Sequence, residues 1–291
     1  MLEKNGNQSL ENEQTESTAL MKRTIKDSVF TNLFKDKKYL IQLYQALHPD
    51  DKNVTENDIK DITINNILVD DIYNDLGFLV GNRLLILIEA QSTWTVNILF
   101  RILMYLVQTY REYFKVTQQD IYNSTKLKMP KPELYIIYTG NRKERPEEIS
   151  FSKEFFNGEN ICIEVKAKVI YDGREGDIIY QYVTFTKVCQ EQTSIYGRSR
   201  KAIQEAIRIC KNRNVLKEYL ESREKEVIDM MMDLYDQEEV MRSYVKSKEH
   251  DTKVETAKRY LSLGKLSFEE IAIGSGLSVE EVEELAGLQL A

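Results

Sequence analysis

The sequence predicts an α/β fold, a mixed central sheet flanked by helices and followed by a helical C-terminal region. Three observations carry that expectation: apolar residues recur at helical spacing over residues 25–47 and 96–114, strand-like runs flank Gly81-Asn82, and strand signals cease after about Tyr180. Helices and strands that alternate before giving way to helices alone are the pattern of a sheet packed between helices, with a helical appendage.

Taken in order, Val29, Leu33, Leu40, Leu43 and Leu47 mark one or two helices, with Asp27 placed to cap the first. Residues 62–74 read as extended and turn-rich, and the hairpin around Gly81-Asn82 follows. Residues 96–114 suit a long helix packed on a sheet. Leu134 to Tyr138 and Ile161 to Ile170 read as further strands, with FSKEFFNGEN between them as loop. After Tyr180 the chain reads as helices to Glu249, then a polar break at KSKEHDTK and three small helices. The expected organisation is a leader at 1–20, the α/β core at 21–195, a helical extension at 196–250 and a small acidic tail at 251–291.

Composition excludes several chemistries. With 291 residues, 42% of them hydrophobic, the chain can bury one large core. Its longest apolar run falls short of the roughly 18 residues of a membrane span, and the first twenty residues carry no signal-peptide core. Cys162, Cys189 and Cys210 are too few and too scattered for a disulfide framework or a thiolate zinc site, which fits a reducing cytoplasm. His48 and His250 are the only histidines, so nucleophile–histidine and histidine–metal chemistries have little to work with. A net charge of −7 opposes a nonspecific grip on nucleic acid but permits a local basic groove.

Carboxylates remain as the reactive groups. Glu89 and Gln91 end the apolar run Leu84-Leu85-Ile86-Leu87-Ile88 and share a strand face, while Asp75 begins the preceding strand. A two-residue loop at Gly81-Asn82 sets Asp75 opposite Ile88; a three-residue loop, or a bulge at Gly77, sets it opposite Glu89 with Cβ atoms about 5 Å apart. Two carboxylates held over one site call for a cation, and hard oxygen ligands favour Mg2+ or Mn2+. Plain strand-end acids are the alternative.

The run NDLGFLVGNRLLILIEAQSTW, with Arg101 and Tyr105 on the next helix, LYIIYTGNR on the next strand and DSVFTNLFKD at the amino-terminal helix, resembles the PD-(D/E)XK nuclease superfamily. Within it, the chain is similar to the recombination-promoting nuclease (Rpn) and transposase branch over roughly residues 24–245. The resemblance implies a restriction-endonuclease-like core and metal-dependent DNA endonuclease activity linked to recombination or mobile elements. It makes Asp75 and Glu89 metal ligands and puts Gln91 where the motif has lysine, a change from a point charge to an amide dipole. Asn74 stands where the motif has proline.

Several further residues have two readings. Arg101 and Tyr105, one turn apart, either support a phosphate or cover the sheet as an amphipathic pair. Asp27 is either an accessory acid or a helix cap. Glu164-Val165-Lys166 spells a second E-x-K, and a solvated strand face explains it more simply. Arg198, Arg200, Lys201, Arg208, Lys211, Arg213 and Lys217 surround one acid, Glu205, as a DNA-tracking stripe or a solvated helix face. Arg142, Lys143 and Arg145 follow the LYIIY strand and could line the same groove. The tail resembles a helix-turn-helix, with Ser278 capping its second helix, but its glutamates repel phosphate, so self-association is the expected use. The functional expectation is a Mg2+-dependent DNA endonuclease; the alternative is an inactive nuclease-fold module that binds nucleic acid or protein.

Overall fold

The computed structural model describes residues 28–51, 53–61, 75–90 and 94–289; for Lys60, Asp61, Asp75, Ile88, Glu89, Ala90, Gln237, Glu238, Met241, Leu288 and Gln289 the description is of the backbone alone. The leader, Asp27, Asn74, Gln91 and the extended segment 62–74 lie outside the described residues. The chain divides into two compact units, one ending at Leu234 and one beginning at Tyr235.

In the first unit, α1 (Val29–Lys35) and α2 (Lys37–Leu47) are the two helices that the periodicity allows. Ser28 is the residue that caps α1, accepting from the Thr31 N–H at 3.2 Å. The break falls at Asp36, which leaves helical geometry and accepts from the Lys38 N–H at 3.0 Å, so that one residue closes α1 and caps α2. Strands β1 (Ile59–Asp61), β2 (Asp75–Val80) and β3 (Arg83–Ala90) form an antiparallel meander. A helical crossover, α3 (Ile98–Val116), then returns the chain to β4 (Lys131–Tyr138), which pairs parallel with β3. β5 (Glu148–Ser150) and β6 (Lys166–Ile170) complete a six-stranded sheet in the order β1-β2-β3-β4-β6-β5.

The β2–β3 turn settles the register left open by the sequence. Gly81 takes φ +57° at the first loop position, where a tight hairpin turn of the II′ kind needs a positive φ. Val80 pairs with Arg83, so the loop has two residues, and Gly77 pairs regularly with Ile86. Alternation gives Leu79, Leu84 and Ile86 to one face, where they pack with Ile98, Leu99, Ile102 and Tyr105 of α3. Phe78, Leu85 and Leu87, all buried, belong to the other. On that side α1 packs on β2, backed by α2 and by α5 (Ile178–Tyr196). Phe30 of α1 meets Tyr182 of α5 with ring centroids 5.4 Å apart.

Three sequence expectations need correction. FSKEFF folds in part as a short helix, α4 (Phe151–Phe155), because Phe151 is buried against the sheet core. The strand expected from Ile161 begins only at Lys166. The chain before it is tethered to α4 instead, through Phe151 N–H donating to Val165 O (3.1 Å) and Ser152 N–H donating to Glu164 (3.2 Å). That tether gives Glu164 a structural role and leaves only Lys166 of the second E-x-K in a strand. The polar stretch 246–253 is not a break. With neither glycine nor proline between Glu224 and Leu263, the residues continue one helix.

Helices α6 (Arg200–Asn212), α7 (Lys217–Ser222) and the start of α8 (Glu224–Leu263) belong to the first unit. Asn32 of α1 fastens them: its amide donates to Glu226 at 2.8 Å and accepts from the Tyr219 hydroxyl at 2.8 Å, while Arg223 lies 3.3 Å away. In the second unit the end of α8 packs with α9 (Phe268–Ser275) and α10 (Val279–Gln289) around Ala257, Ile271, Leu277 and Val282. Capping boxes at Ser267–Glu270 and Ser278–Glu281 use two of the tail's acids locally, as the sequence indicates for Ser278.

A Gly81→Ala variant should lose about 1–2 kcal/mol of stability, the cost of a left-handed L-residue, with no gain of contacts to offset it. Urea unfolding checks this; unchanged stability would mean the turn geometry tolerates a side chain.

Candidate functional site

The carboxyl end of the parallel β3–β4 pair is where the candidate residues collect. The register sets Glu89 beside Ile137 and Ala90 beside Tyr138, so both strands end together. Asp75 pairs with Ile88, one position short of Glu89. In a ladder of period two, a one-residue offset assigns two positions to opposite faces. Asp75 thus belongs to the row of Leu79, Leu84 and Ile86, and Glu89 to that of Phe78, Leu85 and Leu87. Neither route to a directly opposed pair, the longer loop or the Gly77 bulge, is the one taken. As the ladder stands, the two positions do not fit one coordination shell. Asp75 is, however, the first residue of β2, where pairing ends and one residue can leave the ladder without shifting the rest. Among the described residues no group of three His, Cys, Asp or Glu side chains could hold a metal ion.

Arg101 and Tyr105 lie one turn apart on α3; Tyr105 is buried within the core cluster and Arg101 is partly buried. The basic stripe takes a different form from its sequence pattern. Arg200 reaches Asp229 at 3.1 Å, Arg208 reaches Glu205 at 2.8 Å and Lys211 reaches Glu224 at 3.0 Å. Lys201 stands 4.4 Å from the ring centre of Tyr196, and Arg198 is exposed. Arg200 and Lys211 thus meet acids of α8 rather than of their own helix, while the inward face, Ala202, Ile203, Ala206, Ile207 and Cys210, is buried. The stripe is largely a solvated helix face laced by ion pairs, each of small energetic weight.

Two clusters were not legible as such. At the carboxyl end, Trp94 meets Tyr138 edge-on at 5.4 Å, and Tyr138 meets Tyr171 at 5.9 Å. Arg142 lies 4.0 Å above the Trp94 ring and Arg145 lies 4.5 Å above Tyr171. Asp172 accepts from both Arg145 (2.6 Å) and Lys187 (2.7 Å); the Lys187 hydrogen bond leads the effects holding its carboxyl below the ordinary range. The only sequence signal was TGNRKER after the LYIIY strand, which shows cations but not the aromatic rings beneath them.

At the opposite end of the same strands, Glu133 is a second centre. His48 Nε2 lies 2.6 Å from one of its oxygens, the Tyr135 hydroxyl donates at 3.0 Å, and Arg83 is 3.9 Å from the other oxygen. Burial raises the Glu133 pKa, but the hydrogen bonds from His48 and Tyr135 outweigh it and the net shift is downward. Tyr44 stacks on His48 at 4.5 Å and donates to Asp51 at 2.6 Å; burial, then that hydrogen bond, pushes its pKa up to about 12. This cluster joins α2 to β4 and, lying far along the strands from Glu89, is a clasp rather than part of the candidate site. Burial also pushes the Cys210 thiol up to about 12 and the Cys189 thiol higher still, which removes both as nucleophiles.

Comparison of the chain with protein-family models, with curated proteins and with solved structures returns no match. Among the described residues no helix is long and apolar enough to cross a membrane.

Because the Glu133 pKa is depressed in the folded state, its contribution is present above the ordinary 4.5 and is lost as pH falls through the lower folded value. Glu133→Gln should therefore cost about 1–3 kcal/mol at pH 7 and flatten the acid limb of a stability–pH curve. An unchanged acid limb would show that other carboxylates set it.

Proposed function

We propose that this protein is a nuclease-fold DNA endonuclease, working at the carboxyl end of β3 and linked to recombination or mobile elements. The observation that carries the reading is the placement of Glu89, at the end of a buried strand, after an antiparallel meander and before a helical crossover into a parallel β4. That order of elements agrees with the core implied by the motif NDLGFLVGNRLLILIEAQ, and parallel strands commonly present their ligand sites at this end.

In this reading Asp75 and Glu89 would hold Mg2+ (or Mn2+) once Asp75 has turned out of the first position of its ladder; bound there, the ion would polarise a phosphodiester and lower the pKa of a water. Gln91 offers an amide acceptor to orient that water and donors to a phosphate oxygen. Arg101, partly buried on α3, supplies positive charge behind the strand end, with Tyr105 packed beneath the sheet as its support. The exposed cations of the α6 region, Arg198 and Lys201 first, guide the DNA backbone electrostatically, an effect that weakens with salt. Asp27 remains an accessory candidate only.

The β2–β3 register favours a second reading, a module that keeps the fold and binds nucleic acid or protein without turnover. Plasmid nicking by the purified chain separates the two. Magnesium-dependent nicking that Asp75→Ala and Glu89→Ala each reduce by 100-fold or more, on the order of a lost metal ligand's few kcal/mol, supports hydrolysis. Binding without nicking in magnesium or manganese leaves the module.

Self-association through the second unit belongs to the same proposal. Ile273 on α9 is 85% exposed, and Leu263, Leu266 and Phe268 near it in sequence are also exposed. Ile273→Glu should shift an oligomer toward monomer in size-exclusion with light scattering; an unaltered mass would remove this surface from assembly.

A further inference from the structure

We infer that Arg142, seated on Trp94, binds a backbone phosphate of a nucleic-acid strand crossing the carboxyl end of β3 and β4. The inference rests on the nucleic-acid reading of that end and is independent of whether hydrolysis follows.

Two arginines of one loop are treated differently by the fold. Arg145 donates to Asp172, which Lys187 also approaches, and about half of its side chain remains in solvent. Arg142 has only 18% of its side chain exposed. One of its terminal nitrogens, Nη1, is buried without a hydrogen-bond partner. The acid nearest the other, Glu144, lies 3.7 Å away and is 90% exposed, too wet and too long a contact to neutralise a desolvated guanidinium. Stacking on the indole returns part of what is lost, while withdrawing a charge from water costs more than it returns. The imbalance is removed by an anion that meets the guanidinium at its exposed edge, and a phosphate accepts such charge-assisted N–H bonds.

Position selects the source of the phosphate. Trp94 touches Tyr138, the last residue of β4, whose register partner Ala90 directly follows Glu89. A strand whose phosphate sits on Arg142 therefore passes the end of β3, with Tyr171 and Arg145 beside it as a second aromatic–cation pair. The partly exposed rings of Trp94 and Tyr171, each beside an arginine, suit an unpaired strand, which presents both phosphates and base faces; Tyr138, which touches both rings, is buried. A free phosphate would use the fork but not the neighbouring rings.

Trp94 is the single tryptophan of the chain, so its emission reports this site alone. The experiment titrates the full-length protein in EDTA with an oligothymidylate of about 12 nucleotides, following tryptophan fluorescence and, separately, the anisotropy of a labelled copy. The expected result is an emission change that tracks binding, with Arg142→Gln weakening affinity about 10-fold or more and Arg142→Lys recovering part of the loss. Inorganic phosphate at equal phosphate concentration should leave the emission unchanged; the same signal from phosphate alone overturns the strand assignment. Binding with a silent tryptophan and an unaffected Arg142→Gln overturns the site while leaving the nucleic-acid reading intact. No binding, in EDTA or magnesium, overturns both. Should Arg142→Gln fail to fold, the wild-type emission titration decides alone.

Discussion

The interaction on which the rest depends is the burial of β3 on both faces. Leu84, Ile86 and their row pack on α3, while Leu85 and Leu87 face the side of α1. A strand enclosed in this way can carry polar chemistry only at its ends. Glu89 and Gln91 come at the exit, and Arg83, near Glu133, stands at the entry. The two ends then diverge: the entry is closed by the His48–Glu133–Tyr135 clasp, and the exit carries a cation on an aromatic ring whose nearest acid among the described residues is the exposed Glu144.

That asymmetry separates holding the fold from using it. A carboxylate satisfied by two close donors at one end of β4 anchors α2 to the sheet. At the other end, Trp94, Tyr138 and Arg142 give the crossover and the β4 exit a shared surface beside the last residues of β3. The same logic demotes the basic stripe of α6, two of whose cations, Arg200 and Lys211, are met by Asp229 and Glu224 across a helix boundary that sequence order hides.

Much of the architecture was legible because it is local. The Gly81-Asn82 turn, the alternation of β6 and the amphipathic periods of α3 and α6 each depend on neighbours within a few residues. What sequence left open turned on single residues and on partners outside the local period. Whether Asp75 faced Ile88 or Glu89 turned on a single loop residue. The shortened start of β6 depended on Ser152 and Phe151, the Asp36 break on two helices competing for one cap, and the unbroken α8 on the absence of breakers rather than on an apolar stripe. At the candidate site, the acidic residues and the loop cations were visible, but not the stacking of Arg142 on Trp94 or the sharing of Asp172, since both join residues that no periodicity relates.

The central claim is that a phosphodiester and a divalent ion meet at the exit of β3. A crystal structure of the protein soaked in manganese, with anomalous scattering to place the ion, tests it most directly. The account predicts one Mn2+ at the end of β3, bound by Glu89 and by an Asp75 that has left its pairing with Ile88. Asp75 still paired in the ladder, with no anomalous peak beside Glu89 at saturating manganese, would contradict it.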